Sequence, residues 1–112
     1  MIRTIIAGAI MLATLSALAD TSSWTERDIC RAAVKTYFFL SEPPADADDQ
    51  AGYFGFVSAA GNVYTCRLSE GRAVFRWMTK GGEPMRSELT RFRLSHGVLV
   101  IRTEMSTETF EK

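Results

Sequence analysis

The sequence predicts an α+β domain: one N-terminal helix packed on a four- to five-stranded antiparallel meander sheet and stitched to it by one disulfide. Three observations carry that prediction. Apolar residues recur at three- and four-residue steps from Ile29 to Phe38, they alternate with polar ones from Gly52 onward, and the only two cysteines, Cys30 and Cys66, fall one in each region. A lone helical period followed by a series of hairpin-sized strands leaves the helix one place to bury its apolar stripe, across a face of the sheet.

The chain opens with a leader. Met1 to Thr4 carry one positive charge, Ile5 to Ala19 carry none, and the apolar stretch closes on Ala17-Leu18-Ala19 before polar Asp20. Small residues at the two positions a signal peptidase reads predict that residues 1–19 are a signal peptide cleaved after Ala19. An uncleaved anchor is the rival, but about 15 apolar residues fall short of the ~20 that span a bilayer as a helix. Residues 20–112 are then a single small exported domain, periplasmic or secreted. Losing Arg3 leaves 12 basic against 13 acidic residues, a net charge of −1, and the two signs are segregated. Residues 20–49 hold seven acids and three bases; residues 50–112 hold six acids and nine bases.

Thr25 is a helix N-cap with Asp28 as its box-like partner, and Trp24 and Ile29 flank it as a hydrophobic staple. The helix is expected to run to Leu40, where Ser41 and Pro43-Pro44 stop it. Cys30, Ala33, Val34, Tyr37 and Phe38 form its core stripe, and Arg27, Arg31 and Lys35 a solvated basic stripe. Residues 41–51 read as a polar loop. Asp46, Asp48 and Asp49 invite a calcium reading, yet counting from Asp46 puts Ala51 where a calcium loop needs Gly and Val57 where it needs a bidentate Glu.

Strands are expected over Tyr53–Ser58, Val63–Ser69, Arg72–Met78, Glu88–Ser95 and Val98 to about Ser106. In an oxidising compartment Cys30 and Cys66 read as a disulfide. If Cys66 points at the helix, alternation sends Tyr64, Leu68, Phe54, Phe56, Ala73, Phe75, Trp77, Phe92, Leu94, Leu99 and Ile101 the same way. The opposite face then collects Val74, Met78, Leu89, Val100 and six arginines: Arg67, Arg72, Arg76, Arg91, Arg93 and Arg102. Val74, out of phase with the core, is expected to tolerate truncation far better than Phe75 or Trp77.

No catalytic constellation or motif of a known family stands out. The one histidine, His96, precedes Gly97 in a tight turn, and one His with two paired cysteines assembles neither a zinc site nor a nucleophile relay. Glu70, Glu83, Glu88, Glu104 and Glu108 offer carboxylates, but no spacing singles out a pair. Gly81-Gly82 lacks the frame of a phosphate loop. No cofactor or metal is expected. The expectation is a non-catalytic binding or inhibitory module that meets another exported or envelope protein. Its contact surface is the arginine face or the loop of Lys80, Gly81, Gly82, Glu83, Pro84, Met85 and Arg86. The alternative is a binder of an anionic polymer, such as lipid head groups, cell-wall glycan or nucleic acid, through the same arginines. A small hydrolase is the distant third.

Overall fold

The computed structural model describes residues 24–79 and 81–112. The expected leader, its cleavage point and Lys80 of the expected binding loop lie outside them. Helix α1 (Glu26–Tyr37) is followed by seven strands, β1 (Ala45–Gln50), β2 (Tyr53–Val57), β3 (Val63–Ser69), β4 (Arg72–Met78), β5 (Pro84–Ser95), β6 (Val98–Arg102) and β7 (Thr107–Glu111). They pair antiparallel in sequence order, a meander in which each strand neighbours the next. The α+β class holds, and the sheet has seven strands rather than four or five.

Both extra strands sit at the edges, where sequence pattern is weakest. β1, expected as loop, is Ala-Asp-Ala-Asp-Asp-Gln, with no large apolar residue to announce it. It forms because β2 offers it a hydrogen-bonding edge and the helix offers its aspartates arginines. β7 lies beyond the expected last strand, which was to run to about Ser106 and which the structure ends at Arg102. The Thr103 amide donates to the Ser106 carbonyl at 2.8 Å, and the chain reverses there. β5 begins at Pro84, four residues early, and its Ala73↔Thr90 and Phe75↔Ser87 pairings set two residues of β5, Glu88 and Leu89, against one of β4, Val74. That bulge keeps both Ser87 and Thr90 on the helix side, buried, with hydroxyls that find no hydrogen-bond partner.

Three of the hairpins close through two residues, Ala51-Gly52, Glu70-Gly71 and His96-Gly97, with positive φ at both positions. Such turns match the twist of the strands they join, and glycine meets the second positive φ without steric cost.

The helix starts as its sequence suggests. Thr25 Oγ1 accepts from the Asp28 amide at 3.1 Å, and Trp24 and Ile29 are both buried. The Asp28 carboxylate accepts from Arg31 and Lys112. The helix ends at Tyr37, three residues short of expectation. Phe39 turns left-handed at φ 54°, and the amides of Phe39 and Leu40 donate to the carbonyls of Thr36 and Lys35, a Schellman closure that uses a phenylalanine where glycine is usual.

The core lies between α1 and the sheet. Cys30, Ala33 and Val34 meet Phe56, Tyr64, Cys66, Ala73, Phe75, Leu99 and Ile101, with Phe54, Leu68, Trp77, Phe92 and Leu94 half-buried around them. Every residue expected on the inner face is there. Tyr37 and Phe38 stack into Tyr64, Phe75 and Trp77 with ring centroids 4.2 to 6.0 Å apart. The Cys30–Cys66 disulfide joins helix to sheet across 5.8 Å between Cα atoms. Closing a loop of 36 residues is worth about 4 kcal/mol in the chain-entropy account. No helix among the described residues is long and apolar enough to cross a membrane.

Candidate binding face

The helix covers one side of the sheet. On the opposite side, strand register groups the side chains into rows that cross the strands. Nearest the β4–β5 hairpin the row is apolar: Val57 faces Val63, Met78 faces Pro84, and alternation puts all four on this side. The next row is Gly55, Thr65, Arg76 and Arg86. Arg67 pairs with Val74 in the row after. Beyond it Ser69, Arg72, Arg91, Arg102 and Thr107 form one continuous line across β3 to β7. Arg93, Val100 and Thr109 form the last.

All six expected arginines are exposed and share this face. Three of them are cross-strand neighbours, Arg72 beside Arg91 and Arg91 beside Arg102. Their Cα atoms are then about 4.5–5.5 Å apart, so like charges stand side by side, which destabilises a sheet. Arg67 and Arg76 flank the ring of Tyr53, with guanidinium carbons 5.3 and 5.0 Å from its centroid, and that ring is almost fully buried beneath them. Val74 is also buried, at 1% exposure, although it points away from the core. It is flanked on the face by Arg67, Arg72 and Arg76, whose stems are long enough to cover it. The expectation that Val74 tolerates truncation well is therefore corrected: a second, thin apolar layer underlies the arginines.

Partners separate this face from the helix side. There, each cation has its carboxylate. Arg27 donates to both oxygens of Asp49 at 2.7 and 2.9 Å, and Arg31 binds Asp28 at 2.7 Å and also Asp46. Lys35 binds Glu108 at 2.7 Å, and Lys112 binds Asp28 at 2.9 Å. The stripe expected to be merely solvated in fact clamps β1 and β7 to the helix. Two carboxyls are held below their usual range as a result: Asp28 chiefly by the Lys112 hydrogen bond, Asp49 chiefly by the Gly55 amide and then by Arg27. Among the described residues, none of the six face arginines forms an ion pair. The ion pair on that side belongs to Arg86, 3.1 Å from Glu88.

The expected binding loop is shorter than its sequence suggested. Pro84, Met85 and Arg86 are the first residues of β5, and Thr79 folds the turn over, its carbonyl accepting from the Gly82 amide and its hydroxyl from the Glu83 amide. Gly81, Gly82 and Glu83 are exposed at that turn. Arg86 thus belongs to the arginine face, beside Arg76. Two concavities mark the face: one of about 300 Å³ bounded by Arg91, Arg93 and Arg102 over Val100, and one of about 520 Å³ toward the apolar end, where Val63, Met78 and Pro84 meet Thr65, Asn62 and Arg76. His96 lies in the β5–β6 turn at φ 52°, as its place before Gly97 implied. No group of three His, Cys, Asp or Glu side chains able to hold a metal occurs among the described residues.

Sequence reasoning missed the continuous Arg72–Arg91–Arg102 line, although part of it was available. A two-residue turn at His96-Gly97 places Ser95 opposite Val98, and counting back from there puts Arg91 opposite Arg102. The Arg72–Arg91 contact depends on the β5 bulge, for which the sequence carries no plain signal. The chain matches no protein-family model, no curated protein and no solved structure, so its chemistry is read from its own residues.

Proposed function

We propose that this protein is an exported, non-catalytic binding or inhibitory module whose working surface is the arginine face, and that its partner is another exported or envelope protein with an acidic surface. One observation carries the reading. Among the described residues the domain pairs the cations of its helix side with carboxylates, whereas six arginines of the open face form no ion pair, three of them being cross-strand neighbours. Arg67 and Arg76 gain the ring of Tyr53, but like charges in cross-strand contact bring the fold no advantage, and an anionic surface laid on them removes the repulsion. Arginine over a thin apolar layer is also the composition of interface centres. Export is supported by the leader pattern of residues 1–19 and by the disulfide, which is at home in an oxidising compartment.

The test is capture from an envelope extract of the source cell, comparing the mature protein with the Arg76→Glu, Arg91→Glu double variant. The wild type retains a partner that the variant loses, and retention falls modestly with salt. Steep loss with rising salt, together with retention on heparin or anionic vesicles, points to the polymer reading instead. Equal retention by the variant sinks the proposal for the face and moves attention to the exposed turn at Gly81-Gly82-Glu83.

A further inference from the structure

The arginine face is not uniformly polar, and its apolar end narrows the chemistry of the partner. Met78 is 63% exposed and Val63 49%, and with Pro84 they form the apolar side of a concavity of about 520 Å³ that opens beside Arg76 and is bounded elsewhere by Gln50, Asn62 and Thr65. Large apolar side chains left at the rim of a concavity, next to a cation, are the usual seat of a single buried anchor at a protein interface. Among the described residues the cations on the face are arginines, Arg86 included. A surface that binds an anionic polymer by charge alone has no need of that choice, whereas interface centres favour Arg and Met over Lys.

Strand geometry sets a distance between the two features. Met78 and Arg72 lie six positions apart on β4, which at about 3.3 Å per residue puts the anchor seat roughly 20 Å from the Arg72–Arg91–Arg102 line. Resting on the reading of this face as a protein-binding surface, we infer that the partner is an acidic polypeptide segment with one large apolar side chain. That side chain sits between Val63, Met78 and Pro84, and carboxylates about six extended residues away lie over Arg72, Arg91 and Arg102. Arg76, between the two, takes an intermediate acid.

Peptide probes test this without knowledge of the natural partner. A fluorescein-labelled peptide of about twelve residues, with one Phe about six residues from a run of Glu, is titrated with the mature protein and followed by anisotropy. It is compared with the same peptide carrying Ala for Phe, with heparin, and with phosphatidylglycerol vesicles. The Phe peptide is expected to bind at least about fivefold more tightly than the Ala peptide, the scale expected for partial burial of one aromatic ring. Val63→Ser with Met78→Ser abolishes that difference and leaves the Ala peptide unaffected; both positions are exposed enough to change without disturbing the core. Arg91→Glu weakens both peptides by a common factor. Equal binding of the two peptides, still sensitive to Arg91→Glu, overturns the anchor and leaves the arginine face standing. Binding of heparin or vesicles but of neither peptide overturns the protein partner as well, and binding of no probe overturns the face altogether.

Discussion

Arg91→Glu puts the proposed division between folding and binding to its sharpest test. Arg91 stands between Arg72 on β4 and Arg102 on β6, each its direct cross-strand partner. Like charges at such positions destabilise and opposite charges stabilise, by about 0.2–1 kcal/mol per pair. Reversing the central charge converts two repulsive contacts into two attractive ones. With the exposed position discounted for solvent screening, the gain is roughly 1 kcal/mol, or about 4–8 °C in Tm for a domain of this size. Arg93→Glu is the comparison, because the direct cross-strand neighbour of Arg93 is Val100 and it meets Arg91 and Arg102 only around their shared concavity, and its gain stays within about 0.5 kcal/mol. Both variants are measured by urea denaturation at low ionic strength and again at about 1 M salt, where screening shrinks the difference. A more stable Arg91→Glu protein that has lost its partner marks a residue retained for binding at a cost to folding. If Arg91→Glu is less stable than wild type, or no different from Arg93→Glu, the arginine line is not in mutual repulsion and the electrostatic case for an outside anion fails.

Other consequences concern the frame that presents the face. Thr90 is fully buried with an unpartnered hydroxyl, so Thr90→Val should stabilise by about 1–2 kcal/mol in chemical denaturation; a loss of stability would mean the hydroxyl is satisfied in solution. Gly55 passes so close to β1 that a Cβ there would overlap the Asp48 carbonyl. Gly55→Ala should therefore cost about 1–3 kcal/mol, with hydrogen exchange accelerating first in residues 45–50, and unchanged exchange would place β1 away from β2. Asp28 and Asp49 have carboxyls held below the ordinary value of 3.8. The stability they contribute is present above that value and is lost as pH falls through the lowered folded values. Between about pH 5 and about pH 2 the wild type should lose stability more steeply than a variant carrying Asp28→Asn and Asp49→Asn, and parallel curves would refute those pairings.

Local periodicity by itself determined which way each side chain faces. Alternation along five strands, anchored by Cys66, was enough to place Phe56, Phe75, Leu99 and Ile101 under the helix and six arginines on the far side, because the pleat has a fixed period of two and a disulfide admits one sense of pointing. The capping signals at Thr25 and the staple of Trp24 with Ile29 were likewise legible, being local chemistry.

What needed the tertiary structure was everything that depends on a neighbour far away in sequence. β1 exists because Arg27 and Arg31 wait for Asp49 and Asp46 across the top of the sheet, and β7 because Lys35 and Thr36 hold Glu108; neither strand has an apolar pattern strong enough to show alone. Val74 looked exposed from its phase and is buried on the far face, where its cross-strand neighbour is Arg67. The line of Arg72, Arg91 and Arg102 required one extra residue in β5, and a bulge is settled by how a strand fits its partner rather than by its own composition. Facing direction is a property of one strand, but register, edge pairing and the balance of charge on a face arise only between strands.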